Sequence, residues 1–122
     1  MLYKRKEIQH ELCLMELSPS ALYGKEFLLT DGNAASAETM FYNRLSSLAD
    51  LPWAVLNGDY WTDFDDGRRK MCAEVLVYPT IEPVYIKAVH ACSDDTIRFL
   101  GASLDTAVID VRESPELFFM RR

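Results

Sequence analysis

The sequence predicts a mixed α+β fold in one domain, residues 1–122, and three observations carry this prediction. Short apolar stretches rich in β-branched and aromatic residues alternate with turn signals, which is typical of strands. A helical stretch capped by Ser93 or Asp94 lies between the last two of these apolar stretches. The 122 residues, of which 49% are hydrophobic and 26% charged, are enough for one hydrophobic core but not for two.

The predicted elements follow from local patterns. Strands are predicted at residues 12–17, 27–30, 75–78, 85–91 and 108–112. Helical spacing of apolar side chains predicts one helix over residues 34–45, capped by Asn33, and another over residues 93–104. Residues 115–119 are predicted to form an apolar tail that packs back on the sheet.

Charge and cysteine usage exclude several classes of protein. A net charge of −6 and a pI near 4.8 exclude a protein whose whole surface binds nucleic acid, so any phosphate contact must come from a local patch. Cys13, Cys72 and Cys92 lack the spacing of zinc ligands or of a disulfide framework, and we expect reduced core thiols in a cytoplasmic protein. His10 and His90 are isolated, so no metal site is predicted, and no stretch approaches the ~18 to 20 apolar residues that cross a bilayer.

One carboxylate stands out at the centre of the chain. Glu74 lies between three cations and the apolar run 75–78, which is predicted to be a buried strand. Because burying an unpaired charge is costly, Glu74 must lie at the mouth of the strand, pair with a cation, or bind a ligand. Two interpretations are therefore open. Glu74 is catalytic, or it is a rim residue paired with one of the cations Arg68, Arg69 and Lys70.

Two loops also allow more than one interpretation. Residues 57–70 combine aspartates, aromatic residues and cations, a mixture that can stack bases and neutralise phosphates of single-stranded nucleic acid. Alternatively, Trp61 and Phe64 fold back as anchors of this loop. The turn Asp31-Gly32-Asn33 is either an ordinary turn or one whose backbone N–H groups hold an anion.

Several motifs, taken in order, resemble those of a known family. They are Thr30-Asp31-Gly32-Asn33-Ala34-Ala35-Ser36, Phe41-Tyr42, Tyr60-Trp61, Arg69-Lys70, Cys72-Ala73-Glu74-Val75-Leu76-Val77 and Pro83-Val84-Tyr85-Ile86. The chain resembles the DarT family over nearly its whole length. These are the DNA ADP-ribosyltransferase toxins of bacterial toxin–antitoxin systems.

The resemblance implies a fold, a reaction and partners. The fold is an ADP-ribosyltransferase-like split β-sheet with short flanking helices. The reaction transfers ADP-ribose from NAD⁺, without a metal, onto a base of single-stranded DNA. The partners are that DNA and an antitoxin protein, and the compartment is the cytoplasm.

The resemblance also assigns roles to individual residues. Glu74 matches the catalytic glutamate of the family in the run Ala73-Glu74-Val75-Leu76-Val77. Residues 53–72 match the segment that faces the target. The candidates for DNA contact are therefore Trp61, Arg68, Arg69 and Lys70. No residue is assigned to NAD⁺ binding.

The sequence departs from the family at its start. Members begin with a further half domain, which carries a histidine motif for nicotinamide and a catalytic arginine. Neither His10 nor Arg5 lies in a matching context. The departure implies a truncated toxin, a fragment begun at an internal Met, or a two-chain toxin whose N-terminal half is encoded separately. Such a piece alone is expected to bind NAD⁺ poorly.

Two other functions stay open on the sequence. One is a non-catalytic remnant of the same fold that binds nucleic acid or an antitoxin through residues 57–70. The other is a small structural domain whose exposed half-sheet pairs with another chain.

Overall fold

The computed structural model describes residues 2–118, without the side chains of residues 2–4 and 6. The strands are β1 (Cys13–Leu17), β2 (Glu26–Thr30), β3 (Phe41–Tyr42), β4 (Val75–Tyr78), β5 (Ile86–Ala91) and β6 (Asp110–Glu113). The α-helices are α1 (Trp53–Leu56), α2 (Gly67–Lys70) and α3 (Asp94–Ser103). Short 3-10 segments cover Leu2–Glu11, Pro19–Leu22, Leu45–Asp50, Trp61–Asp63, Pro83–Tyr85 and Pro115–Leu117. The α+β class is confirmed, and each predicted strand is present with ends within two residues.

The chain divides into two compact units. The terminal unit comprises Met1–Ala21 and Glu82–Arg122, and the central unit comprises Leu22–Ile81. Each unit holds one three-stranded sheet, ordered β1-β5-β6 in the terminal unit and β3-β2-β4 in the central unit. The assignment of residues 1–122 to one domain stays a prediction.

The terminal unit is built on its central strand. β5 pairs antiparallel with β1 and parallel with β6, so Val89 lies opposite both Met15 and Val111. Ala88 and Ala91 are fully buried, and Phe118 from the predicted tail is also buried. The last residue of that predicted tail, Phe119, lies outside the described residues.

Helix α3 begins where the sequence predicts, because its first residues favour the start of a helix. The Ser93 side chain accepts a hydrogen bond from the Thr96 backbone N–H at 3.3 Å. Asp94 and Asp95 stand in the first turn, where the helix dipole favours negative charge. The helix ends where Leu104 becomes extended.

The central unit is built around β2, which pairs antiparallel with β3 on one side and β4 on the other. Leu29 is completely buried, and Leu51 and Val55 are buried as well. The pairing of β2 with β4 extends one residue before the start of β4, because the Thr30 N–H donates to the Glu74 carbonyl at 2.9 Å. This pairing fixes Glu74 at the point where β4 begins.

The predicted helix over residues 34–45 is wrong. Its first part forms turns, and Phe41–Tyr42 is strand β3. The Met40 N–H donates to the Asp31 carboxylate at 2.9 Å and the Asp31 N–H donates to the Met40 carbonyl. These contacts and the pairing with β2 satisfy backbone groups that a helix would otherwise pair, so tertiary context overrides the local helical spacing.

Two predictions about burial are also wrong. β4 is an edge strand and is not buried, since Val75 is 44% exposed and Tyr78 69% exposed. Edge strands keep one side open to solvent even where their composition is apolar. Of the three cysteines, Cys92 is buried, whereas Cys13 and Cys72 are exposed and therefore are not core thiols.

The helices found between residues 2 and 118 are all too short or too polar to pass through a bilayer.

Candidate active site

Glu74 stands directly before β4 with an exposed side chain and a firmly held backbone. Its N–H donates to the Thr30 hydroxyl at 3.0 Å, and its carbonyl accepts from the Thr30 N–H at 2.9 Å. Thr30 is completely buried, and its hydroxyl lies 2.7 Å from the Gly32 carbonyl. The structure therefore presents the Glu74 carboxylate to solvent from a backbone fixed by a buried residue.

The Glu74 carboxylate makes no ion pair or hydrogen bond with any residue that the structure describes. The interpretation of Glu74 as a rim residue paired with a neighbouring cation is therefore wrong. The neighbouring cations have other environments. Arg69 lies 2.8 Å from Asp31, and Lys70 donates to the Asp65 carbonyl at 2.9 Å. Arg68 is exposed, and no side-chain partner is found for it within the described part of the chain.

Arg69 connects three segments of the central unit. Its Nη1 donates to Asp31 at 2.8 Å and to the Thr39 hydroxyl at 3.1 Å, and its Nε donates to Asp66 at 2.5 Å. The backbone carbonyl of Arg69 also accepts from the Asn33 N–H at 3.0 Å. The side chain is only 12% exposed. We call Arg69 with Asp31, Thr39 and Asp66 the arginine cluster.

The charges of the arginine cluster stabilise one another. The hydrogen bonds to Asp31 and Asp66 raise the pKa of Arg69. Burial favours the neutral form of Asp31, but the hydrogen bonds from Arg69 and from the Met40 N–H outweigh it and lower the pKa of Asp31. Arg69 and Asp31 are thus ionised at neutral pH, and the cluster ties the end of β2 to α2.

Three backbone donors in and just after the turn that follows β2 are already used. The Asn33 N–H donates to Arg69, the Ala35 N–H to the Asn33 side chain at 3.0 Å, and the Ser36 N–H to the Asn33 carbonyl. Gly32 allows the close approach of Arg69, because a Cβ at this position would lie 2.5 Å from the Arg69 Nη1. These occupied amides favour an ordinary structural turn over an anion site.

The loop of residues 57–70 contains two helical segments and packs tightly on itself. A Cβ on Gly67 would lie 1.9 Å from the Trp61 carbonyl, and a Cβ on Gly58 would lie 2.6 Å from the Phe64 ring. Trp61 and Phe64 are half-buried, while Tyr60 is 59% exposed. Phe64 thus anchors the loop, and the role of Trp61 in DNA contact stays a prediction.

Sequence reasoning did not single out Thr30, Asp31 or Thr39. Thr30 and Asp31 lie in a motif that carries the family resemblance, but their contacts with Glu74 and Arg69 join positions 44 and 38 residues apart. A pattern read along the chain contains no signal for such a pairing. The motif was a signal for the residues themselves, although not for their partners, because it places Thr30 and Asp31 directly at the end of an apolar strand.

The terminal unit holds a separate chain of polar contacts around His90. Its Nδ1 lies 2.9 Å from the Ser114 hydroxyl and its Nε2 lies 2.9 Å from the Glu16 carboxylate. The hydrogen bond with His90 has the largest effect and lowers the pKa of Glu16; burial opposes it, and the charge of Arg112 lowers the pKa further. Both ring nitrogens of His90 therefore have protein partners, Glu16 on β1 and Ser114 directly after β6.

Comparison with known sequences identifies a family. The family model described as "ssDNA thymidine ADP-ribosyltransferase, DarT" matches residues 1–119. A DNA ADP-ribosyl transferase-DNA ADP-ribosyl glycohydrolase fusion protein of Thermosipho africanus is 30% identical over 112 residues, 90% of this chain. A DNA ADP-ribosyl transferase of Thermus sp. is 36% identical over 55 residues, 45% of this chain. The matches span 29% and 26% of the lengths of these two relatives.

Solved structures confirm the fold. Thermus sp. 2.9 DarT in complex with ADP-ribosylated ssDNA matches 97% of this chain and 63% of its own, with a TM-score of 0.86 and 21% identity. Thermosipho africanus DarTG in complex with ADP-ribose matches 98% of this chain and 33% of its own, with a TM-score of 0.82 and 26% identity. The predicted ADP-ribosyltransferase-like split sheet is thereby confirmed, and the family model covers almost the whole chain. The chain belongs to the DarT family.

Proposed function

We propose that this chain carries the catalytic glutamate of an NAD⁺-dependent transferase that attaches ADP-ribose to a base of single-stranded DNA. The family description supports a thymidine as acceptor. The observation that carries the proposal is the Glu74 carboxylate, which is exposed and makes no hydrogen bond or ion pair with a described side chain although cations precede it. A carboxylate left open on a fixed backbone is suited to binding a substrate.

The residues present fit the ribose of NAD⁺. A carboxylate accepts hydrogen bonds from ribose hydroxyls, and the Glu74 carboxylate has no competing donor among the residues that the structure describes. With NAD⁺ bound in this way, the negative charge of Glu74 would stabilise the positive charge that develops on the ribose carbon as nicotinamide leaves. We therefore assign Glu74 to the nicotinamide ribose and assign no residue to the diphosphate.

The proposed reaction needs one proton acceptor. The bond between ribose C1′ and the nicotinamide nitrogen breaks, its electron pair leaves with neutral nicotinamide, and C1′ bonds to a base nitrogen. In a thymine nucleotide, N3 is the ring nitrogen that still carries a proton. Glu74 accepts that proton as the new bond forms, acting as a general base.

The proposed DNA contacts are Trp61, Arg68, Arg69 and Lys70, and their environments suggest different contributions. Arg68 is exposed and is suited to a direct phosphate contact. Arg69 is held by carboxylates on two sides, so we propose that it shapes the DNA-facing loop more than it neutralises phosphate. Trp61 and Lys70 are half-buried.

The test is transfer of labelled ADP-ribose from NAD⁺ to a thymidine-containing oligonucleotide. We expect Glu74→Gln to lower incorporation by about a hundredfold or more, because it removes the base while keeping the size of the side chain. Glu116→Gln is the matched control, since Glu116 is also exposed and carries no assigned role. Because the matches span less than a third of the two relatives, the assay is run with the chain alone and with a separately produced N-terminal half of a relative.

Absence of incorporation in both arms would overturn the transferase proposal. Incorporation by the chain that is equal in Glu74→Gln would remove Glu74 from the mechanism. Salt-sensitive DNA binding that needs Arg68 but is indifferent to NAD⁺ and to Glu74 would favour the non-catalytic binding remnant instead.

We further propose an antitoxin partner that reverses the modification. The support is the Thermosipho relative, whose name joins a transferase to an ADP-ribosyl glycohydrolase in one protein. A cell that modifies its own DNA needs the opposite activity, which makes the pair a toxin–antitoxin system. Both substrates occur in the bacterial cytoplasm, which is our proposed location.

Expression of the chain should slow growth, and co-expression of the glycohydrolase should restore it; growth unaffected by the chain would contradict this.

A further inference from the structure

The Thr30 hydroxyl occupies an unusual place in the pairing of β2 with the start of β4. In a regular antiparallel pair, two opposite residues exchange both N–H···O=C hydrogen bonds. Thr30 donates its N–H to the Glu74 carbonyl at 2.9 Å in the usual way. The return hydrogen bond from the Glu74 N–H goes to the Thr30 side-chain hydroxyl, at 3.0 Å. A side chain thus takes the place of a backbone carbonyl at this position.

The Thr30 hydroxyl can donate one hydrogen bond and accept another at the same time. It has one hydrogen to donate and lone pairs to accept. The Thr30 hydroxyl lies 2.7 Å from the Gly32 carbonyl and 3.3 Å from the Glu74 carbonyl, so it donates to the closer one, Gly32. The same hydroxyl oxygen accepts a hydrogen bond from the Glu74 N–H. Because Thr30 is completely buried, water does not compete for these hydrogen bonds.

We propose that Thr30 is a positioning residue for Glu74. Its hydroxyl ends the β2–β4 ladder and holds the Glu74 backbone so that the carboxylate projects toward the substrate. The inference rests on the proposed function of Glu74 and extends it to a second residue. Thr30 touches no substrate in this role and acts through the backbone of Glu74.

Threonine has the two properties that this role requires. Its branched Cβ restricts the side chain to few rotamers, which aims the hydroxyl. Its hydroxyl supplies the acceptor for the Glu74 N–H. Thr30→Val keeps the shape and removes the hydroxyl, whereas Thr30→Ser keeps the hydroxyl and removes the methyl group. The two variants therefore separate hydrogen bonding from packing.

The first measurement is hydrogen exchange of the Glu74 backbone amide by NMR, which needs no activity. We expect Thr30→Val to speed this exchange by about tenfold or more relative to neighbouring amides, because the amide loses its acceptor. Thr30→Ser should leave it near the rate of the unsubstituted chain. Unchanged exchange at Glu74 in Thr30→Val would overturn the inference.

The second measurement is transfer to the oligonucleotide, separated into kcat and KM. Misplacing a reacting group by a fraction of its size lowers kcat steeply, so we expect Thr30→Val to reduce kcat by about tenfold to a hundredfold with little change in KM for NAD⁺. Thr30→Ser should recover most of the rate. The control is Thr96→Val, the same substitution at a threonine of the terminal unit whose hydroxyl hydrogen bonds to His10 and Ser93 but not to Glu74.

The two measurements distinguish the inference from the proposed function. Equal kcat in Thr30→Val and the unsubstituted chain would overturn the positioning role even if transfer itself is observed. A similar fall in kcat in Thr96→Val would assign the effect to general loss of stability and also overturn it. An unsubstituted chain that is inactive both alone and with the N-terminal half would overturn the proposed function, and the exchange rate of the Glu74 amide would still decide whether Thr30 holds that backbone.

Discussion

The Arg69 guanidinium lies 2.8 Å from the Asp31 carboxylate, although 38 residues separate the two in sequence. This ion pair connects the end of β2 with the short helix α2, which ends four residues before Glu74. Both side chains are largely buried, at 12% and 20% exposure. A contact of this kind stabilises the central unit more than a surface ion pair, which contributes little.

Removing Arg69 should destabilise the central unit. Arg69→Ala leaves the carboxylates of Asp31 and Asp66 without their shared donor, and we expect a loss of about 2 to 3 kcal/mol in the free energy of unfolding. Urea unfolding followed by circular dichroism measures this loss. Arg68→Ala is the control and should stay within about 0.5 kcal/mol, because Arg68 is exposed. Equal effects of the two substitutions would contradict the arginine cluster.

The lowered pKa of Asp31 predicts a pH dependence of stability. The pKa of Asp31 in the folded chain lies below its ordinary value of 3.8. Its contribution is therefore fully present above pH 3.8 and is lost as the pH falls through the lowered folded value. Asp31→Asn should be less stable at neutral pH and should show a smaller loss of stability in acid. Unfolding free energies measured across this acid range check the difference.

The control for that experiment is Asp59→Asn. Asp59 is exposed in the loop of residues 57–70, and its substitution should leave the pH profile unchanged. An Asp31→Asn profile that parallels the unsubstituted chain would show that another group carries the acid sensitivity.

Alanine substitutions of Gly67, in the tightly packed loop, and of Gly101, in α3, should have opposite effects on stability. Gly67→Ala places a methyl group where the Trp61 carbonyl lies only 1.9 Å away, and we expect a loss of about 2 kcal/mol or more. Gly101→Ala, within α3, meets no atom within 4 Å and should gain about 0.5 to 1 kcal/mol from helix propensity. Thermal unfolding compares the two. Tolerance of Gly67→Ala would mean that the loop is less closely packed than its contacts indicate.

Arg68 should affect DNA binding through charge alone. Arg68→Ala should weaken binding of a single-stranded oligonucleotide and reduce the slope of log K against log salt by about 0.7, the value for one phosphate contact on a single strand. Arg98→Ala removes an equal charge from exposed α3, where Arg98 pairs with Asp94, and should leave the slope unchanged. Fluorescence anisotropy at several salt concentrations gives both slopes. Equal slopes for Arg68→Ala and the unsubstituted chain would remove Arg68 from the interface.

Much of the secondary structure was predictable because its causes are local. The apolar runs that form β1, β2, β4 and β5 have strand composition and end at turn residues. Ser93 caps α3 through a contact three residues away. Residues 34–45 show where local reasoning fails, because pairing with β2 outweighed their helical spacing.

The sequence alone determined the α+β class, most of the strands, helix α3, and through its motifs the family and the candidate Glu74. The tertiary structure decided what each charged side chain contacts. Arg69 pairs with Asp31 and Asp66, and this leaves Glu74 without a partner in the described chain, a result that the adjacent basic run did not predict. The physical reason is that ion pairs and buried hydroxyls depend on distances between strands and loops, which spacing along the chain does not fix.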